Sequence, residues 1–249
     1  MITASILIIG NEVLSGRTQD TNINYIARNL KIKGISLVEV RIIKDDEVAI
    51  INTVKQLSQQ CDYLFTTGGI GPTHDDITSL TIAKCFGLAY EIHPKALEIL
   101  KEYYGDEFND NRKKMAYLPQ GAHLIENPVS KAPGFIVHNV YCMAGMPKVM
   151  KAMFQHVLPK LKNGNPIFTV EIKTNLIEGI MARHLSDIQK NHSDVEIGSY
   201  PFYNQPPDIG VVLVVCGTDE LHVNQAVESI VEMILIFKGD VISKTILNS

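Results

Sequence analysis

Thr66-Thr67-Gly68-Gly69-Ile70-Gly71-Pro72-Thr73-His74-Asp75-Asp76 is the stretch on which the fold turns. The apolar run Tyr63-Leu64-Phe65 leads into it, and a helical pattern from Ile77 to Phe86 follows. Strand, glycine turn, helix start is an arrangement that cradles phosphate. Glycines let backbone N–H groups approach an anion, and a helix N-terminus adds partial positive charge. Two carboxylates beside that turn would repel phosphate unless a divalent cation lies between them and the phosphate oxygens. The stretch thus points to a phosphorylated ligand held through metal. Its spacing is neither the dinucleotide fingerprint G-x-G-x-x-G nor a P-loop, since no Gly-Lys-Ser/Thr follows. The competing reading is a tight turn in which Asp75 or Asp76 caps the next helix.

Upstream, Ser5 to Ile9 reads as a strand ending at Gly10, and Asn11-Glu12-Val13-Leu14-Ser15-Gly16 as a loop. Asp20-Thr21 caps a helix from about Asn22, with Ile23, Ile26, Ala27 and Leu30 on one face and Gly34 beyond its end. Leu37 to Ile43 is a strand, Asp45-Asp46 caps a helix through Val54 and Leu57, and Cys61 to Thr67 is a strand. Such alternation predicts a mostly parallel sheet with helices on both faces, a three-layer α/β/α domain. Ligands of these sheets bind outside the carboxyl ends of the strands. Gly10-Asn11-Glu12 and the glycine stretch both fall there, so they are expected to line one cleft.

Downstream, Pro94 starts a helix with Leu97, Leu100 and Tyr104 on one face, ended by Gly105. A short helix covers Asn109 to Met115, and its Arg112-Lys113-Lys114 run is either a solvated face or an attraction for a phosphorylated ligand. Leu124-Ile125, Phe135 to Val137 and Val140 to Met143 are β-structure, the last two joined at His138-Asn139. Gly145-Met146-Pro147 opens a helix with Met150, Met153, Phe154, Val157 and Leu158 turned inward, a stripe better read as core than as a cofactor box. Lys162 to Pro166 reads as a linker. Beyond it come strand (Ile167 to Ile172), helix (Glu178 to Lys190), strand (Val195 to Tyr200), strand (Ile209 to Cys216) and helix (Asp219 to Phe237). The expected organisation is a phosphate-binding domain over 1–163 and a small α+β domain, β-α-β-β-α, over 164–249.

Composition narrows the partners. The 249 residues carry a net charge of −4, which argues against nucleic acid and against an anionic membrane. No apolar run approaches the roughly 20 residues of a membrane span. The first residues run straight into a strand without a basic lead, unlike a signal peptide. Cys61, Cys85, Cys142 and Cys216 are widely spaced with no C-x-x-C, which predicts reduced, mostly buried thiols in a cytoplasmic protein.

At these residues the chain resembles a known family. Gly10-Asn11-Glu12-Val13-Leu14-Ser15-Gly16, Asp20-Thr21-Asn22, and Thr67 to Thr73 with Asp75-Asp76 look like the molybdopterin-binding-like domain of CinA-type proteins. Asn111-Arg112, Leu118-Pro119-Gln120-Gly121, Asn127-Pro128, Ala132-Pro133-Gly134-Phe135 and Gly145-Met146-Pro147 extend the match through residue 163 or so. Glu178-Gly179, Leu185, Gln189 and Ile197-Gly198-Ser199-Tyr200-Pro201 are similar to stand-alone bacterial members and to the tail of the corresponding part of eukaryotic FAD synthase. The amidase domain of bifunctional members has no counterpart in these residues.

The resemblance implies a fold related to MogA, MoaB and gephyrin. It implies metal-dependent hydrolysis of a nucleotide diphosphate such as ADP-ribose or FAD, with Mg²⁺, Mn²⁺ or Co²⁺. The alternatives it carries are a protein that binds a nucleotide or molybdopterin without turnover, and a molybdopterin adenylyltransferase. By the same analogy the protein is a homo-oligomer, dimer or trimer. Two positions depart from the family pattern: His74 and Ala144 each stand where proline is common. Both bear on substrate choice and on retained activity.

Roles follow residue by residue. Gly68, Gly69 and Gly71, with Thr67, Asn11 and Gly145 around them, would present backbone to phosphate or nucleotide. Asp75 and Asp76 would hold the cation, Asp76 first, and all of Asp76, Asp75 and Glu12 are candidate catalytic groups and metal ligands. Glu12 is equally readable as a loop carboxylate satisfied by backbone. Asn22 would bond a sugar or phosphate oxygen or cap its helix. Ser130 and Lys131 would meet a phosphate, solvent exposure being the alternative for the lysine. His74 is of a residue type suited to acid–base work, yet the family manages without it.

Overall fold

The computed structural model describes residues 1–204 and 208–247. Two compact units emerge, one from Met1–Lys31 with Ile35–Gly164, the other from Asn165 onward with Ile32–Gly34. The expected range 164–249 includes residues 205–207 and 248–249, which lie outside the described residues.

In the first unit the order is β1 (Thr3–Ile9), α1 (Asn11–Leu14), α2 (Asn22–Ile32), β2 (Ser36–Ile43), α3 (Glu47–Gln60), β3 (Tyr63–Thr67) and α4 (Thr78–Phe86). Then come β4 (Tyr90–Ile92), α5 (Pro94–Tyr104), α6 (Asp110–Lys114), β5 (Tyr117–Pro119), β6 (His123–Ile125), β7 (Gly134–Val137), β8 (Val140–Met143) and α7 (Pro147–Val157). Six strands form one sheet in the order β2-β1-β3-β8-β7-β6. The pairings from β2 through β8 are parallel, while β7 is antiparallel to both of its neighbours, β8 and β6.

Alternation along the strands divides the core. Leu7 and Ile9 of β1 and Leu64 of β3 face one side, against Ile50, Val54 and Leu57 of α3, Ile82 of α4 and Leu100 of α5. Ala4, Ile6 and Ile8 with Phe65 face the other, against Ile26 and Leu30 of α2 and Met150, Met153, Phe154 and Val157 of α7. These are the three layers that the strand–helix alternation predicts. Phe65 and Phe154 meet edge to face at 5.4 Å, both fully buried, each burial contributing about 1.5–3 kcal/mol.

The caps are local. Asp46 takes the Ala49 N–H at 2.9 Å to start α3, and Asp20 takes the Ile23 N–H at 2.9 Å at α2. His93 caps α5 through its ring nitrogen, ahead of Pro94 at the first turn. Two expectations are corrected, and one pairing is new. Residues 11–14 form a helical turn, not a loop, with the Ser15 N–H returning to the Asn11 carbonyl at 3.0 Å. Neither Asp75 nor Asp76 caps α4, whose cap position is Ile77 with no side-chain bond. And Tyr90–Ile92 pairs with Tyr117–Pro119 in a two-stranded ladder too short to show a period.

The second unit runs β9 (Phe168–Thr174), α8 (Glu178–Asn191), β10 (Val195–Tyr203), β11 (Ile209–Gly217), α9 (Glu220–Ile236), β12 (Val241–Leu247). Its antiparallel sheet has the order β10-β11-β9-β12. Val211, Leu213 and Val215 pack with Val223, Val227 and Ile230 of α9. The sequence pattern stops at α9 and omits β12, because that strand buries no face: all but its first residue are exposed. With no side buried there is no alternation to read.

Candidate functional site

Strands β1, β3 and β8 are parallel neighbours, so the loops leaving their carboxyl ends emerge together. The Gly68 N–H donates to the Met143 carbonyl at 3.0 Å, tying the loop after β3 to the end of β8. Gly68 stands at φ +106°, and a Cβ there would lie 2.0 Å from the Ile9 carbonyl oxygen. Only glycine lets these two chains run so close. Gly69, at φ +67°, would drive a Cβ to 2.2 Å from Thr78 Oγ1. That hydroxyl donates to the Gly68 carbonyl at 3.0 Å, and the Thr78 N–H donates to the Gly69 carbonyl at 2.9 Å. The start of α4 is thereby locked to the glycine turn.

Gly69, Gly71 and Asp76 line one cleft of about 400 Å³ with Arg112, Ser130 and Gly145. Asp76 Oδ2 accepts the Thr73 N–H at 2.8 Å, and the Thr73 hydroxyl lies between the carboxylates of Asp75 and Asp76. One hydroxyl proton serves one of them at a time. The Asp75 carboxyl is held below its ordinary range, first by that hydroxyl, then by its own backbone N–H and the nearby His74. His74 itself is almost wholly exposed, its ring 4.0 Å from Asp75. Met115, Met146, Val149 and Met153 give the cleft an apolar wall, and the Arg112 guanidinium lies 4.2 Å over the Tyr104 ring, which lines the cleft too.

Glu12 is placed elsewhere. It lines a separate cavity of about 30 Å³ with Asn22 and Thr67, and Gly145 borders both this cavity and the cleft. Its carboxylate folds back over Gly10. Asn22 does not cap α2. Its amide donates to the Gly145 carbonyl at 2.8 Å, while its buried Oδ1 and the buried Thr67 hydroxyl have no hydrogen-bond partner. The Asn11 N–H donates to Asp45 Oδ2 at 3.0 Å. Burial pushes the Asp45 carboxyl up, the Asn11 bond opposes, and the charges of Glu12 and Asp75 push it further up. The charges of Glu12 and Asp75 are thus felt at Asp45. Among the described residues, however, no three His, Cys, Asp or Glu side chains converge closely enough to enclose a metal ion. Lys131 lines a neighbouring groove and not the cleft.

Comparison with known proteins follows this geometry. Residues 5–163 match the family described as "Probable molybdopterin binding domain". The chain belongs to that family. In this molybdopterin-binding-domain protein, residues 166–238 match a second family, "FAD synthase, middle domain". A protein of Archaeoglobus fulgidus is 34% identical over 230 residues, covering 92% of this chain and 96% of that one. Another, of Pyrococcus furiosus, is 32% identical over 243 residues, covering 90% and 94%. Among solved structures, "the protein CinA with unknown function" from Thermoplasma acidophilum shares 34% identity with a TM-score of 0.60, covering 64% of this chain and 96% of that one. The CinA-like resemblance and the α/β fold it implied are borne out. Among the described residues no helix is long and apolar enough to cross a membrane.

Sequence reasoning gave no role to Asp45, Thr78, Tyr104 or Asn127. Asp45 was absorbed by its neighbour, since Asp45-Asp46 before a helix reads as a cap and only Asp46 does the capping. Asn127 had a usable signal. Asn-Pro favours a side chain folding back on its own loop, and Asn127 Oδ1 accepts the N–H groups of Val129 and Ser130 at 3.0 and 3.2 Å.

Proposed function

We propose that the chain is a metal-dependent pyrophosphatase that cleaves a nucleotide diphosphate such as ADP-ribose or FAD, releasing AMP. The observation that carries this is Asp76 in the same cleft as the Gly69 and Gly71 backbone, with an apolar wall and the Tyr104–Arg112 stack opposite. The Gly69 and Gly71 amides bind pyrophosphate oxygens, the Gly68 N–H being taken instead by the Met143 carbonyl; Ser130 adds a hydroxyl, and the methionine wall accepts a flat base.

The donor pair fits a hard divalent cation, because Asp75 and Asp76, joined through the Thr73 hydroxyl, offer oxygen alone. Without a three-residue cluster the shell would be completed by substrate, as is usual for Mg²⁺, which takes one or two carboxylates plus phosphate oxygens. When bound, such a cation neutralises pyrophosphate charge and so favours cleavage. Water attacks one phosphorus, the bridging P–O bond breaks, and AMP and the phosphorylated second half depart. The same reading takes the protein as a cytoplasmic homo-oligomer.

A second reading, binding of a nucleotide or pterin without turnover, is favoured by the absence of a ready-made metal cluster among the described residues. The deciding assay is AMP release from ADP-ribose and from FAD, with Mg²⁺, Mn²⁺ or Co²⁺ and with EDTA. Wild type releases AMP only with metal, and Asp76→Ala lowers kcat at least about 100-fold, as expected for loss of a group that stabilises developing charge. A folded wild type that releases no AMP with any metal leaves the binding reading in place.

A further inference from the structure

Beside the cleft lies a larger groove of about 670 Å³. The two share their walls. Asn127 lines both, and adjacent residues divide between them: Tyr104, Ser130 and Ala132 on the cleft, Tyr103, Lys131 and Pro133 on the groove. The two tyrosine rings meet edge to face at 4.9 Å. Asn127, almost fully buried, also donates its amide to Ser130 Oγ at 2.6 Å and to the Ala132 carbonyl at 2.8 Å, fixing the partition. Lys131 is held at φ +60°, a conformation that residues with a Cβ rarely adopt and that persists where the surroundings over-determine it, often at ligand sites.

The groove differs chemically from the cleft. Ile99, Tyr103, Leu124, Pro128 and Pro133 make it largely apolar. Of its charges, Lys95 is paired with Glu98 at 3.0 Å and Glu126 with His156 at 3.4 Å, while Glu102 and Lys131 also line it. A bare ribose has nothing to offer such walls, whereas a flat ring with an aromatic face does. Ligand pockets run to roughly 300–1,000 Å³, and the cleft and the groove, at about 400 and 670 Å³, each fall within that range.

We propose that cleft and groove are one bipartite site, in which the groove receives a planar ring on the second half of a dinucleotide whose pyrophosphate lies on the glycine turn. This rests on the nucleotide-diphosphate reading above and narrows it, from ADP-ribose to dinucleotides such as FAD. Tyr103 supplies the stacking face, and Lys131 stands at the junction, beside the second phosphate.

The test is calorimetric titration of the full chain, with Mg²⁺, using AMP and the methylene-bridged analogues of ADP-ribose and FAD, whose P–C–P link resists hydrolysis. The FAD analogue binds more tightly than the ADP-ribose analogue. Tyr103→Ala, at a half-exposed position, weakens the FAD analogue by about five- to tenfold, as expected for one stacked ring, and leaves AMP and the ADP-ribose analogue within about twofold. Lys131→Gly relaxes the backbone without loss of melting temperature, yet weakens both bridged analogues and not AMP. If AMP and the ADP-ribose analogue bind while the FAD analogue gains nothing, or if Tyr103→Ala shifts all three alike, the groove assignment is overturned and the nucleotide site stands. If the folded protein binds none of the three, both readings fall together.

Discussion

Gly68→Ala is the substitution that tests the geometry of the glycine turn most directly. Two contributions add at this position. A residue with a Cβ held at φ +106° costs about 1–3 kcal/mol in backbone strain. The new methyl would also sit 2.0 Å from the Ile9 carbonyl oxygen, and overpacking of that kind costs a further 1–3 kcal/mol or so. The obstacle is backbone of β1, paired on both sides in the sheet, so it has no rotamer by which to yield. The upper half of the range applies, about 4–6 kcal/mol. Gly87→Ala is the matched control, since Gly87 also has positive φ, +66°, but nothing lies within 4 Å of its would-be Cβ. Its cost is the conformational part alone, about 1–2 kcal/mol. With a urea m-value near 3 kcal/mol/M, the midpoint falls by about 2 M for Gly68→Ala and about 0.5 M for Gly87→Ala. Because the chain has no tryptophan, far-UV circular dichroism is the readout. Equal midpoint shifts for the two variants would refute the close approach of the Gly68 and Ile9 backbones.

Two further outcomes are expected. Asp45→Asn raises the melting temperature at pH 7, because it removes a partly buried carboxylate crowded by Glu12 and Asp75 while keeping an acceptor for the Asn11 N–H. The folded-state pKa of Asp45 is raised, so this group's contribution to stability is fully present below the unfolded value near 3.9 and is lost as pH climbs through the folded pKa. The gap between variant and wild type therefore closes on acidification, and identical melting at pH 7 would contradict the crowding. Thr78→Val strips the buried Gly68 carbonyl of its hydroxyl donor and lowers stability by about 1–3 kcal/mol, whereas Thr78→Ser keeps the bond and most of the stability. Urea titration of the pair separates hydrogen bond from shape.

How much of this was legible in the residues depended on whether burial left a pattern. β1 is apolar along nearly its whole length because both its faces are covered, and α3 shows Ile50, Val54 and Leu57 at helical spacing for the same reason. β12 and the Tyr90–Ile92 ladder leave no such trace, being exposed in one case and three residues long in the other. The candidate site was legible where backbone demanded glycine, at Gly68 and Gly69. It was not legible where one acidic neighbour masks another, as at Asp45 beside Asp46. Nor could spacing tell that Glu12, on its helical turn, would fold over Gly10 and border a cavity apart from Asp76. Side-chain direction there is set by the turn after β1, which the sequence leaves as an unpatterned run.

The place of β8 in the sheet has a consequence for synthesis. β3 pairs with β1 on one side, but its other neighbour is β8, whose residues leave the ribosome about 75 residues later, roughly 4–15 s at ordinary elongation rates. Throughout that interval the nascent β2-β1-β3 ribbon presents an unpaired backbone edge, and Phe65 lacks its Phe154 partner from α7. An edge of that kind recruits other chains. Stalled or truncated chains ending before Val140 are thus the species most prone to aggregate, and a chaperone guarding this protein has its work concentrated on that one interval.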